Sequence, residues 1–205
     1  VAPRHRRLGL GRVLLAETEG VLTAEGLSFV DAYPPKARPG KDAGPLATSA
    51  DTFEIELLGK GAHGARPHES ADPIVGAAAL ISALQTIVAR RIDPAAAAVV
   101  TVGSIHAGTA SNIIPERANL TGTLRATTPE TRSAIGNEVK RIAESVAESY
   151  RLTARVTVNL GTPPIVNPVE GASWARQAAS AVLGEAAVVP FGLTNMGGED
   201  FAFYL

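Results

Sequence analysis

A chain of 205 residues, 45% apolar and 19% charged with a formal net charge of -1, has enough apolar material to bury a core and no charge excess that would draw it to nucleic acid or an acidic membrane. Without cysteine it has no disulfides and no thiolate metal ligands, and no signal peptide or uninterrupted transmembrane run is evident, so the expected location is cytoplasmic, with no nucleic-acid and no membrane partner. The length suits one large domain, or a small domain plus pieces of another, because domains commonly run about 100 to 200 residues.

The opening segment carries Arg4, His5, Arg6, Arg7 and Arg12 ahead of the apolar series Val13, Leu14, Leu15, Val21 and Leu22, which reads as a short amphipathic helix with a basic entry. One charge run without aromatics reads as a solvated end and not as a nucleic-acid surface. Residues 33–44 are rich in proline, glycine and lysine and read as a linker or crossover.

Regular patterning starts at Ser49. Phe53, Ile55 and Leu57 alternate with Glu54, Glu56 and Leu58, the period of a half-buried strand. It runs into a glycine-punctuated loop, residues 59–68, that holds two of the four histidines, His63 and His68. Glycine lets a backbone approach a ligand closely and histidine changes charge near neutral pH, so the loop is either a chemical site or a surface turn with solvated histidines. Asp72 can cap, and Pro73 can open, a helix whose apolar face is Ile74, Ala77, Ala78, Ile81, Leu84, Ile87 and Val88.

Residues 97–105 and 118–124 are the next two strands, joined by a polar loop over 107–115. His106, at the end of the first of them, reads as a structural hydrogen-bonding residue or a catalytic one. Thr128-Pro129 repeats the cap-plus-proline device for a second helix marked by Ile135, Val139, Ile142 and Val146. Residues 153–160 form a fourth strand. Strand-helix-strand-strand-helix-strand is the order of a ferredoxin-like βαββαβ sandwich, an α+β arrangement with two helices on one face of a four-stranded sheet. Pro163-Pro164 and Asn167-Pro168 then read as a second linker, 174–183 as a helix and 186–189 as a short buried strand. The flanks are short, so the economical organisation is 1–47 and 162–205 as parts of one α/β domain into which a sandwich spanning 48–161 is inserted.

Four stretches in this order, GAHGARPH (61–68) with Asp72-Pro73, GSIHAGTASNIIP (103–115), LTGTLR (120–125) and GGEDFAF (197–203), resemble the metal-dependent N-acyl-amino-acid amidohydrolases. These are hippurate-hydrolase-like members of the aminoacylase and metallocarboxypeptidase family that carry an inserted dimerisation or lid domain. The resemblance implies cleavage of the amide bond of an N-acyl or N-aroyl amino acid or small peptide, a homodimer formed through residues 48–161, and a divalent metal such as Zn, Mn, Co or Ni.

By the same resemblance, His63 reaches into the partner's site and donates to the oxyanion formed as water attacks the amide, a role in which a donor aimed at developing charge lowers the barrier. His68, just ahead of the helix, reads as a residue that only orders the loop. Asn112 and Arg125 correspond to the pair that grips the substrate carboxylate, the arginine offering a planar fork and the asparagine a neutral donor, and their spacing is expected to let them converge. Without the motif they would read as a turn former and a strand-end arginine. Glu199 and Asp200 match the acidic turn bordering the metal cleft, or serve a helix dipole.

Departures limit the match. Where the family has two glutamates after a proline, Pro3 precedes His5 and Arg6, and an arginine cannot ligate a metal. Asp31 stands where a ligand histidine is expected, or that ligand is deleted. The first metal motif and the last ligand histidine lie outside the sequence, so the chain reads as truncated at both ends, with an incomplete metal site and no activity of its own. The alternatives are a non-catalytic dimerisation or carboxylate-binding module, and a ferredoxin-like domain that senses an amino acid.

Overall fold

A computed structural model of the chain describes residues 44–188 and 196–204. The expected basic helix, the first linker up to residue 43 and Asp31 lie outside the described residues. The elements are β1 (Gly44–Ala47), β2 (Ala50–Leu58), β3 (Ala62–His63), α1 (Pro73–Leu84), α2 (Thr86–Arg90), β4 (Ala98–Ala107), β5 (Ile113–Ile114), β6 (Arg117–Ala126), α3 (Pro129–Ser149), β7 (Thr153–Thr162), β8 (Ile165–Asn167) and α4 (Val169–Leu183).

The main sheet has the order β4-β6-β2-β7 with every neighbour antiparallel, and the helices cover one face of it. This is the ferredoxin-like α+β sandwich that the alternation and the two caps imply. Phe53, Ile55 and Leu57 point from β2 into a core shared with Leu120, Leu124, Leu80, Leu84, Ile87, Ile135 and Val139, all essentially inaccessible to solvent. The opposite face is polar, and Glu56 is bracketed there by Arg117 at 3.3 Å and Arg155 at 3.2 Å. Gly122 lies under the ring of Phe53, where an added Cβ would stand 2.3 Å from Cζ.

Both caps form as the sequence implies. Asp72 Oδ1 accepts the N–H of Ile74 at 2.8 Å, and Thr128 Oγ1 accepts that of Thr131 at 3.2 Å. The apolar face of the first helix differs from the expected one, however. The helix breaks at Gln85 into α1 and α2, and its buried line runs through Gly76, Ala77, Leu80, Leu84 and Ile87, leaving Ile74 and Val88 exposed. At the start of the helix Leu152 presses so close to Gly76 that any Cβ there would lie 2.3 Å from its Cδ1, which places Gly76 on the buried side. Pro73–Arg90 is apolar enough, by length and a mean hydropathy of 1.5, to cross a membrane, but here it is bent and packed on the sheet.

The second linker is also more ordered than expected. β8 pairs antiparallel with β1, Gly44 opposite Asn167 and Pro45 opposite Val166, so the two passages into the sandwich run together as a ribbon. A proline on a two-stranded ribbon can keep its N-free side outward, which is why Pro45 does not prevent pairing. Where the ribbon meets the sheet, Asp51 is buried and holds Arg132 Nε at 2.9 Å, Arg132 Nη2 and the Gly161 N–H at 2.9 Å. Arg132 Nη2 also donates to the Gly161 carbonyl at 3.0 Å. Burial alone pushes the Asp51 carboxyl up, but the hydrogen bonds from Arg132 and Gly161, the Arg132 charge and Ser49 outweigh it and hold the group below its ordinary value.

Helix α4 starts at Val169, earlier than expected, and buries Ala172, Ala175 and Ala179 while Trp174 stays 61% exposed. The short strand expected over 186–189 is not found in its described part. Gly184 takes φ +84 and turns the chain into a 3-10 turn, Glu185–Ala187, with exposed side chains and, among the described residues, no strand paired with it.

Candidate functional site

The two loops singled out by sequence are joined. β3 and β5 form a two-residue pairing, Ala62 opposite Ile114 and His63 opposite Ile113, and the Gly64 N–H donates to the Asn112 carbonyl at 2.7 Å. Glycine favours so close an approach: a Cβ at Gly61 would lie 2.9 Å from the Ile114 oxygen, closer than a side chain allows without a shift, and one at Gly64 would make a tight contact at 3.1 Å from the Asn112 oxygen. His63 is exposed. Its carbonyl accepts the Arg66 N–H at 2.7 Å and its Nδ1 accepts the Ala65 N–H at 3.1 Å. His68 sits in the 3-10 turn Pro67–Glu69 with Nε2 3.9 Å from Glu69, and His106 lies on the open face of β4 opposite Asn119.

Arg125 is elsewhere. It is half-buried near the far end of β6, opposite Val99 of β4, whereas the loop carrying Asn112 precedes the start of β6. Eight strand residues at about 3.3 Å each separate Arg117 from Arg125, roughly 26 Å, so Asn112 and Arg125 of one chain do not converge. The expectation failed because sequence spacing does not distinguish the two ends of a strand: thirteen positions here include a whole strand length. The structure thus brings Asn112 to His63 and not to Arg125.

At the Arg125 end stands the glycine turn of the tail. Thr48 holds it by donating its hydroxyl to the Met196 carbonyl at 2.8 Å and its N–H to that of Gly197 at 3.1 Å. A Cβ on Gly198 would lie 2.5 Å from Ala50 Cβ, 2.8 Å from Thr162 Oγ1 and 3.3 Å from Arg125 Nη1, so only glycine lets the turn lie against the sandwich. Glu199 follows directly; it is exposed, and its Oε1 accepts the Phe201 N–H at 3.3 Å. Sequence reading did not single out Thr48, Ala65 or Gly198 individually. The glycines carried a signal in their motifs, whereas a threonine and an alanine acting through backbone contacts carry none.

Among the described residues no three histidine, aspartate or glutamate side chains gather where they could hold an ion. The described residues therefore do not fit the metal that the resemblance implies. What they can do is bind and orient: a guanidinium at one end of the sheet, an imidazole and a carboxamide at the other.

The described residues thus form a two-layer sandwich with an open edge strand, β4, and loops at both ends of its sheet. Residues 48–151, about half of the chain, match the family model described as the peptidase dimerisation domain, and the chain belongs to this M20 family. It is 39% identical over 167 residues to the N-acetyl-L-cysteine deacetylase of Bacillus subtilis, covering 81% of this chain and 39% of that protein. It is 35% identical over 161 residues to the hippurate hydrolase of Campylobacter jejuni, covering 78% and 42%. Among solved structures, the Bacillus subtilis YXEP protein, described as a dinuclear metal-binding peptidase from the M20 family, aligns with a TM-score of 0.64 at 29% identity, covering 93% of this chain and 48% of that one. The chain spans about two fifths of the length of these two curated relatives.

Proposed function

We propose that this chain is the dimerisation module, with flanking parts of a catalytic domain, of a cytoplasmic hydrolase that cleaves the amide bond of N-acyl or N-aroyl amino acids or small peptides. In this organisation the sandwich, residues 48–161, is inserted between the flanking pieces 1–47 and 162–205. The observation that carries the reading is the division of the site residues between the two ends of one sheet.

Strand β4 is an edge and carries the exposed apolar side chain of Ile105. If two β4 edges pair antiparallel about a two-fold axis, the Val99 end of one strand falls beside the Ala107 end of the other. Arg125 sits opposite Val99, and the His63–Asn112 pair lies beyond Ala107. A homodimer therefore brings Arg125 of one subunit to the end where the partner's His63 and the partner's Asn112 stand. Arg125 and the partner's Asn112 would hold the substrate carboxylate, with Glu199 at the border of the cleft, and the partner's His63 would donate to the carbonyl oxygen as it gains charge. Both curated relatives bear the names of enzymes that release an amino acid from an N-acyl group, which supports a substrate with a free carboxylate.

Isothermal titration of the 205-residue chain with an N-acyl amino acid tests the clamp, and sedimentation tests the dimer. Weak binding that is lost in Arg125→Ala, together with a dimer, is expected. A stable monomer at high concentration, or binding indifferent to Arg125, overturns the proposal. Since the described residues gather no metal site, this chain by itself is expected to turn over no N-acyl amino acid with added Zn²⁺ or Mn²⁺, and measurable hydrolysis would refute that. The other reading, a non-catalytic module that keeps the carboxylate clamp, is favoured by the same missing cluster. It predicts binding and dimerisation without turnover even when residues 44–204 stand in a complete M20 chain in place of its own.

A further inference from the structure

We propose that Ala65 and Gly64 are positioning residues for His63: the Ala65 N–H holds the imidazole in the tautomer with its proton on Nε2, and Gly64 splices that imidazole to Asn112. This inference rests on the donor role proposed for His63.

A neutral imidazole has one nitrogen that donates and one that accepts, and a backbone N–H can only donate. The Ala65 N–H lies 3.1 Å from Nδ1, so Nδ1 is the bare nitrogen and Nε2 carries the hydrogen. The turn makes this contact local. The Arg66 N–H closes on the His63 carbonyl at 2.7 Å, folding residues 63–66 so that the Ala65 amide faces the ring. His63 is thereby committed to donating from Nε2, which is what a group facing a developing oxyanion must do, and its basic nitrogen is occupied.

Gly64 supplies the second link. Its N–H reaches the Asn112 carbonyl at 2.7 Å, and Asn112 belongs to a turn closed by the Ile113 N–H on the Ala110 carbonyl at 3.4 Å. With Ala62 opposite Ile114 and His63 opposite Ile113, neither loop can shift alone. A Cβ at Gly64 would lie 3.1 Å from the Asn112 oxygen and 3.2 Å from its carbonyl carbon, tight enough that a side chain there presses directly on the Asn112 turn. Donor and carboxamide are delivered to the partner's site as one unit with a preset spacing, which removes ordering that binding would otherwise have to supply.

The test is a long-range proton–nitrogen correlation spectrum of the imidazoles in the 15N-labelled 205-residue chain, above the pH at which histidine titrates. A peptide spanning residues 59–68 serves as the unconstrained reference. The wild-type chain is expected to show His63 in a single tautomer with a bare Nδ1, where the peptide shows a mixture. Ala65→Pro removes the donor and is expected to return His63 to the peptide's mixture. Gly64→Ala is expected to move the His63 and Asn112 side-chain signals together, leaving residues at the centre of the sheet in place. A wild-type mixture equal to the peptide's, or a Gly64→Ala variant that disturbs His63 alone, would overturn the inference. Should a variant fail to fold by circular dichroism, the comparison of wild type with peptide still decides. These spectra need no substrate, so a single tautomer without ligand binding would sink the clamp and leave the positioning intact, and a mixture with normal binding would do the reverse.

Discussion

Asp51 is the strongest single test of how the sandwich is tied at its base. Its side chain is 1% exposed and that of Arg132 15%, and Asp51→Ala removes the acceptor of Arg132 Nε, Arg132 Nη2 and the Gly161 N–H together. Breaking a buried ion pair by deleting one partner costs about 3–5 kcal/mol, because the other charge is left uncompensated. The small opening at Arg132 lets its guanidinium recover some water, so the expected loss lies at the lower end, about 3 kcal/mol, of which the stranded Gly161 N–H accounts for roughly 1–2 kcal/mol. Urea unfolding at pH 7 followed by circular dichroism measures it; the only tryptophan, Trp174, lies outside the sandwich and reports poorly on it.

Arg132→Ala should cost at least as much, since it leaves a more deeply buried carboxylate without a countercharge, held only by the Gly161 N–H and Ser49. The double variant should lose at least about 2 kcal/mol less than the sum of the two singles. Because the folded Asp51 carboxyl is held below its ordinary value, the contribution is complete above the normal carboxylate range and disappears as the pH falls through the lowered folded value. The wild type should therefore lose stability relative to Asp51→Ala on acidification below about pH 4. Additive single substitutions, or a loss under about 1 kcal/mol for Asp51→Ala, would refute the reasoning.

Gly122→Ala should destabilise the sandwich by about 3 kcal/mol, seen as a lowered urea midpoint, because the new methyl would stand 2.1 Å from the Thr101 carbonyl oxygen and 2.3 Å from Phe53 Cζ. Ile105→Lys, at an exposed position on the β4 edge, should convert the dimer to monomer in sedimentation while leaving the thermal unfolding of the subunit little changed. Thr128→Ala should cost about 1 kcal/mol by stranding the Thr131 N–H at the start of α3, read from the same urea titration.

What could be read in advance follows from the range of the forces involved. Strand alternation at Phe53, Ile55 and Leu57 and the cap-plus-proline pairs at Asp72 and Thr128 are local, so they appear in sequence as spacing, and together they determined the order of the sandwich. The candidate residues His63, Asn112, Arg125 and Glu199 stood out for the same reason, since each belongs to a short run of unusual composition.

Their grouping was not legible. Whether Asn112 stands beside His63 or beside Arg125 depends on which end of β6 each occupies, and whether Pro45 breaks the chain or pairs in a ribbon depends on Val166, far along the chain. The buried Asp51–Arg132 pair likewise joins residues 81 positions apart that carry no pattern of their own. Sequence by itself determined the four long strands and two main helices of the sandwich, their order and the chemical groups on the loops. Only tertiary structure decided which groups meet, because contacts between distant segments are set by sheet register and packing, and neither leaves a periodic trace in the chain.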